Sequence, residues 1–384
     1  MRKLSFLMGC LAIMIAGAMI ISCEGPVGPA GTDGQDGQDG ADGADGIEGN
    51  VTCLVCHSDG NQATIASEFA ASQHSSGAIA VDYAGGRASC AECHSHEGFV
   101  EFARTGDIAN DYANPSAWKC GTCHNVHTDF EATDYALRDN DAVVLYADDQ
   151  VTLDEGNNNT CINCHQSRRT IDGYDNATED KTYTRKFTDA EDIADYTHAA
   201  VGPAGSITLD QSGAKDTLVV VFDIPVATHA YIRSTHAGPH HGPQANLWSG
   251  KAAGVVAGDA YAPHDDGCVA CHMGPGSGHS FWPVEANCAE CHSSDKLPGL
   301  DATAERLEDI ALALAALHAV HIDDEWESGD AIFGAVHPVY ASLPRDVFQA
   351  WWDFTLVMED RSNGAHNPTY VETLLDGVET TLGL

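Results

Sequence analysis

Twelve of the 14 cysteines stand in six copies of one pattern, Cys-x-x-Cys-His: Cys53/Cys56/His57, Cys90/Cys93/His94, Cys120/Cys123/His124, Cys161/Cys164/His165, Cys268/Cys271/His272 and Cys288/Cys291/His292. Two thiols about one helical turn apart can add to the two vinyl groups of a porphyrin, and the histidine that follows is then held against the iron. Paired Cys-x-x-Cys zinc sites are the alternative, but zinc gives no reason for histidine to follow the second cysteine in all six copies. The expectation is six haem c groups, tethered by those twelve cysteines and ligated on one face by the six motif histidines. The two remaining cysteines, Cys10 and Cys23, lie in the N-terminal segment, which leaves no pair for a disulfide in the mature chain.

Each iron has a second face, either ligated or open to substrate. There are 20 histidines, so supply exceeds demand. His74 follows an apolar helical stretch around Ala63–Ala71 that carries Ile65, Phe69 and Ala70 at helical spacing. His127, three residues after His124, points away from its own iron if the motif helix continues, and so toward a neighbouring haem. His96 lies on a different side of its helix and is not expected to ligate. His236, His240 and His241 share a turn-rich loop, Thr235–Asn246, which suits iron ligation or a separate metal site. His279 lies between the fifth and sixth motifs, whose haems must be close because only the loop 273–287 separates their tethers. His366 precedes a helix start. The candidate distal ligands are therefore His74, His127, His236, His240, His279 and His366.

The elements that must hold these residues are mostly helical. Asp301 can cap a helix whose face carries Leu307, Ile310, Leu314, Leu317 and His321, flanked by His318. A second helix begins near Pro344 with Phe348, Trp351, Trp352 and Leu356. Asn367-Pro368 opens a third, expected to end near Gly377. Between the fourth and fifth motifs, Ser206–Leu209 and Thr217–Ile224 are β-branched runs separated by Ser212-Gly213, which predicts a small β insertion. The fold class expected is mainly α with much irregular haem-wrapping loop, a small β insertion and a core formed largely of stacked haems.

The chain carries a formal net charge of −39, which repels phosphate backbones and excludes nucleic acid as a partner. Arg2, Lys3 and the apolar run Leu4–Ile21 form a secretion signal over residues 1–22, with a membrane anchor as the alternative. Ile20-Ile21-Ser22-Cys23 resembles a bacterial lipobox, so Cys23 is the expected lipidation site. From Gly25 to Gly49 glycine occupies every third position, with Asp33, Asp36, Asp39, Asp42, Asp45 and Glu48 between. Few prolines and aligned like charges favour a flexible stalk over residues 23–50 rather than a collagen trimer. The organisation expected beyond it is a four-haem region 51–168, a motif-free region 169–267 with the β insertion and histidine loop, a two-haem region 268–300 and C-terminal helices 301–384.

The array resembles bacterial multihaem c-type cytochromes. His240-His241-Gly-Pro-Gln, Cys271-His-Met with Gly278-His279-Ser-Phe, and Gly364-Ala-His366-Asn-Pro resemble elements of the group containing cytochrome c nitrite reductase and the octahaem hydroxylamine and tetrathionate enzymes. The resemblance implies that His240, His279 and His366 are distal ligands and that His127 is the second histidine of a Cys-His-x-x-His unit. The Cys-x-x-Cys-Lys site of the nitrite reductases is absent from this sequence, and six motifs match neither five nor eight haems. The expected function is an electron carrier rather than an enzyme: an exported outer-membrane lipoprotein, on the cell surface or the periplasmic face. It would pass electrons between the envelope and partner redox proteins or an extracellular acceptor, with the membrane contacted through its lipid. Two alternatives stand beside it. One is a reductase or oxidase of small nitrogen or sulfur compounds with one open haem, lined by the surplus histidines with Tyr231 and Arg233. The other is a homo-oligomeric filament.

Overall fold

The computed structural model describes residues 57–58, 60–77, 80–126, 136–147, 150–240, 242–251, 258, 267–289, 292 and 299–384. The leader, Cys23, the stalk, Cys53, Cys56, His127, His241 and Cys291 fall outside the described residues. Among the described residues the architecture is mainly helical, with four small antiparallel sheets. Among the described residues no helix is long and apolar enough to cross a membrane.

The N-terminal part is built of short helices: α1 (Asn61–Ala70), α2 (Ala88–His94) and α3 (His96–Thr105). Ser95 makes the corner between α2 and α3, its Oγ accepting from Gly98 N at 3.1 Å as the N-cap of α3. The third, fourth and fifth motifs lie on or beside single helical turns at Cys120–Cys123, Asn159–Ile162 and Gly267–His272.

The predicted β insertion is present and larger than expected. Strands β1 (Lys181–Phe187), β2 (Ser206–Asp210) and β3 (Thr217–Ile224) form an antiparallel sheet with β3 central. Alternation on β3 buries Leu218, Val220, Phe222 and Ile224, and helix α4 (Ala190–Tyr196) covers that face by stacking Tyr196 on Phe187 at 4.0 Å. Strand β4 (His229–Ile232) leads from the insertion into the histidine loop.

The C-terminal part contains α5 (Leu300–Ala316), a hairpin of β5 (Val320–Ile322) and β6 (Val336–Pro338), β7 (Ala341–Pro344), α6 (Arg345–Asp360) and α7 (Pro368–Leu382). Pairing of β4 with β7 ties this part to the insertion. Helix α6 is central, buried without a break from Ala350 to Asp360, including the carboxylates of Asp353, Glu359 and Asp360. Trp351, Trp352 and Phe354 are each at most 1% exposed, and α5 and α7 lay Leu307, Ile310, Leu314, Leu374 and Leu375 against the same core.

Three expectations need correction. Helix α5 stops at Ala316, so Leu317 caps it and His321 lies on β5 opposite His337; the turn runs through His318 at φ 54°. Asp301 sits inside the first turn behind Gly299, where its charge meets the helix dipole rather than capping. Helix α7 passes through Gly377 and ends only before Gly383, whose φ of 76° suits glycine. Among the described residues the largest apolar cluster is built of aliphatic and aromatic side chains, most of them from α5, α6 and α7.

The cap of α7 does two jobs. Asn367, 1% exposed, accepts from Tyr370 N at 3.1 Å and donates to the carbonyls of Leu247 and Trp248 at 3.2 and 3.3 Å. Asn367→Ala is expected to lower stability by about 1–2 kcal/mol, because the cap and the two bonds to those carbonyls are lost together. Chemical denaturation checks it, and an unchanged midpoint refutes it.

Candidate haem sites

Four motif histidines each face one non-motif histidine. His94 and His240 have ring centres 5.9 Å apart, His124 and His279 6.3 Å, His165 and His74 6.0 Å, and His272 and His366 6.2 Å. Two imidazoles bound to one metal at about 2.0 Å, with about 1.1 Å more from nitrogen to ring centre on each side, stand about 6.2 Å apart. The donor set and its spacing therefore fit iron between paired imidazoles. Among the described residues no group of three or more histidine, cysteine or carboxylate side chains gathers around one position as a bare metal ion would need.

Neither His57 nor His292 belongs to these four pairs. His57 is exposed. His292 is half-buried at the end of its motif turn, its N–H donating to the Cys288 carbonyl at 2.8 Å. Cys53, Cys56 and Cys291 of the same two motifs lie outside the described residues, so the proximal roles of His57 and His292 rest on the sequence motif alone.

The ring orientations follow from what the Nδ1 atoms meet. His272 Nδ1 donates to the Phe281 carbonyl at 2.7 Å. His165 Nδ1 donates to Gln244 Oε1 at 3.2 Å. His366 Nδ1 is 2.7 Å from Asp360 Oδ1, inside the protein. Each bond commits Nδ1 and leaves Nε2 for a metal, the arrangement by which outer partners orient ligating histidines. The weakest of the set is His279, whose Nδ1 is 4.0 Å from Glu68, though its backbone N–H donates to the same carboxylate at 3.0 Å.

Burial disfavours the charged form of four of these rings. It pushes His74 down to about 4, with the nearby His165 adding to the effect, and Trp118 and Phe281 pack edge-on against the His74 ring. Burial likewise lowers His165, His272 and His279. His366 is the exception: burial opposes its charge, but the Asp360 carboxylate outweighs burial and raises it.

The backbone also serves these positions. His240 stands at φ 88°, a conformation that costs a residue with a side chain on the order of 1 kcal/mol or more. Its loop is pinned to the fourth motif: Pro239 O accepts from Arg168 N at 3.1 Å, and Asn246 Oδ1 accepts from Ser167 N at 2.7 Å. The third motif is held by Arg138, whose guanidinium reaches the carbonyls of Gly121 and His124 at 2.8 and 3.2 Å.

The attachment points of different motifs touch. Cys93 Sγ lies 3.6 Å from the Asn163 carbonyl oxygen, Cys164 Sγ lies 3.9 Å from the Glu92 carbonyl oxygen, and Val269 N donates to Asn158 Oδ1 at 3.0 Å. The second, fourth and fifth motifs are thus neighbours. Glu92, inside the second motif, is buried beside the fourth and pushed up to about 7 by burial, partly offset by a hydrogen bond from Tyr146. Helix α3 presses on the second motif where a Cβ on Gly98 would fall 2.2 Å from the Ala91 carbonyl oxygen. Gly98→Ala is therefore expected to push α3 off the motif and reduce haem loading there, seen as fewer than six haems per chain by pyridine haemochrome assay.

Of the six distal candidates, His74, His240, His279 and His366 stand opposite motif histidines. His279 faces the third motif rather than either motif that flanks it in sequence. His236 is exposed with its ring 6.3 Å from Tyr83. His96 binds Thr122 Oγ1 through Nδ1 at 2.7 Å. Tyr231 stacks on Tyr183 at 4.8 Å and Arg233 lies over Tyr174 at 4.3 Å, so both are engaged at the β insertion. Gln244, Asp360 and Glu68 were not anticipated, and nothing local in the sequence marks them.

No family model and no curated protein matches this chain. Among solved structures it is similar to one described as the crystal structure of outer cell wall cytochrome OcwA, at 17% identity and a TM-score of 0.43, over 82% of this chain and 49% of that one. The chain thus spans about half the length of that structure.

Proposed function

We propose that the chain is a six-haem c-type cytochrome that carries electrons between the cell envelope and an extracellular acceptor or partner redox protein. The observation that supports this most is the four facing histidine pairs, each joining one attachment motif to a distant histidine at the spacing a hexacoordinate iron needs. The twelve motif cysteines would hold the haems, the motif histidines one face, and His74, His240, His279 and His366 the other in four of them. Haem ligated on both faces supplies one-electron transfer and offers substrate no coordination site.

The protein's own contribution is position and environment. Gln244, Phe281 and Asp360 fix ring orientation, Trp118 and Phe281 keep water from His74, and the touching motifs keep successive haems within short reach. The leader, Cys23 and the glycine-repeat stalk support export and lipid anchoring, with the acidic body held clear of the membrane.

Purified holoprotein should give six haems per chain by pyridine haemochrome assay and a resting EPR spectrum of low-spin haem alone. Zinc in place of haem would overturn the reading. A prominent high-spin haem would overturn the carrier role in favour of a reductase with an open site.

A further inference from the structure

One hydrogen-bonded line joins ligands of two haem sites. His366 Nδ1 meets the Asp360 carboxylate at 2.7 Å, the Asp360 backbone carbonyl accepts from Gln244 Nε2 at 3.2 Å, and Gln244 Oε1 accepts from His165 Nδ1 at 3.2 Å. The two ends are chemically unequal. His366 is held by a carboxylate that is 2% exposed and further fixed by the Ser362 hydroxyl, whereas His165 is held by a neutral amide. The surroundings add to the difference, because the partner of His165 is His74, which lies against Trp118 and Phe281.

Resting on the haem reading above, we propose that Asp360 is a positioning residue that sets the direction of electron flow between these two sites. A buried anion bonded to a ligand's outer nitrogen makes that ligand more basic and stabilises the more positive, oxidised iron. An amide and apolar rings give no such help, and low polarity favours the less charged, reduced iron. The site of His272 and His366 is then the lower in potential and that of His165 and His74 the higher. The sites are neighbours, since Val269 N, within the fifth motif, donates at 3.0 Å to Asn158 Oδ1, just before the fourth. One electron leaves the ferrous iron of the first, which becomes ferric, and reduces the ferric iron of the second, with no bond made and no proton moved.

The test is a spectroelectrochemical titration of the whole holoprotein, wild type against Asp360→Asn. The variant keeps a side chain of the same shape and removes the charge. One haem midpoint is expected to rise enough to increase its reduced-to-oxidised ratio about tenfold at fixed potential, a shift of about 59 mV for one electron. Gln244→Glu places a charge at the other end of the line and is expected to lower a different midpoint, which also decides the matter if Asp360→Asn does not fold. Six unchanged midpoints in either folded variant, with all haems still low-spin, would overturn the role of Asp360 and leave the cytochrome reading standing. Absence of bis-imidazole low-spin signals in the wild type would instead remove the haem reading itself.

Discussion

On the proposed haem reading, replacing His366 by alanine is expected to turn one low-spin haem high-spin and leave the sites of His94, His124 and His165 low-spin. The side chain is opposite His272 at 6.2 Å, and among the described residues no other histidine is recorded facing that motif histidine. Its loss vacates an axial position, which water or small anions can then enter. It also strands the buried Asp360 carboxylate, which keeps only the Ser362 hydroxyl and local backbone as partners. Leaving a buried carboxylate short of its main partner costs about 1–3 kcal/mol or more, so a lower denaturation midpoint should accompany the spectral change. Added imidazole should restore the low-spin signal, because the cavity left by the ring has the ring's shape. His366→Met distinguishes ligation from packing, since a thioether keeps six-coordination while raising the potential of that one haem. A spectrum with six low-spin haems in the alanine variant would remove His366 from the ligand set.

The candidate tethers were legible because covalent haem attachment would need both thiols and the first ligand within five consecutive residues, and short spacing survives in any fold. The candidate distal histidines were partly legible: His74 follows α1 in the short turn Gln73–Ser76, His366 precedes a capped helix, and both signals are local. Which histidine faces which was not legible, since His279 meets His124 through packing of α1 against the turn Gly278–Ser280, far apart in sequence. The same reason hid Asp360 and Gln244, whose roles exist only once α6 and the histidine loop meet. Strand β1 escaped notice because Lys181, Arg185 and Lys186 mask its β-branched character, as befits an edge strand. The extent of α7 was misjudged for a simpler reason: Gly377 lies where a side chain would touch nothing, and packing of Leu374, Leu375 and Val378 carries the helix past it.

Trp351→Ala is expected to destabilise the protein by about 3–5 kcal/mol, among the largest effects of any single core change. The indole is fully buried on α6, edge-on to Trp352 at 6.0 Å, with Phe348 at 5.2 Å and Tyr174 at 6.5 Å. Its Nε1 is buried with no hydrogen-bond partner among the described residues, so the native state already carries a desolvated donor there. Removing the ring also removes that penalty, which places the expected loss toward the lower end of the range and makes Trp351→Phe milder than its volume change suggests. The consequence reaches the haem sites because α6 ends at Asp360, and whatever loosens the helix shifts the carboxylate that holds His366. In denaturant titrations of the holoprotein, the alanine variant should therefore lose low-spin character at the His272 site before the sites of His94 and His124 respond. Simultaneous loss at all of these sites would mean that the aromatic core does not position Asp360 separately from the rest of the fold.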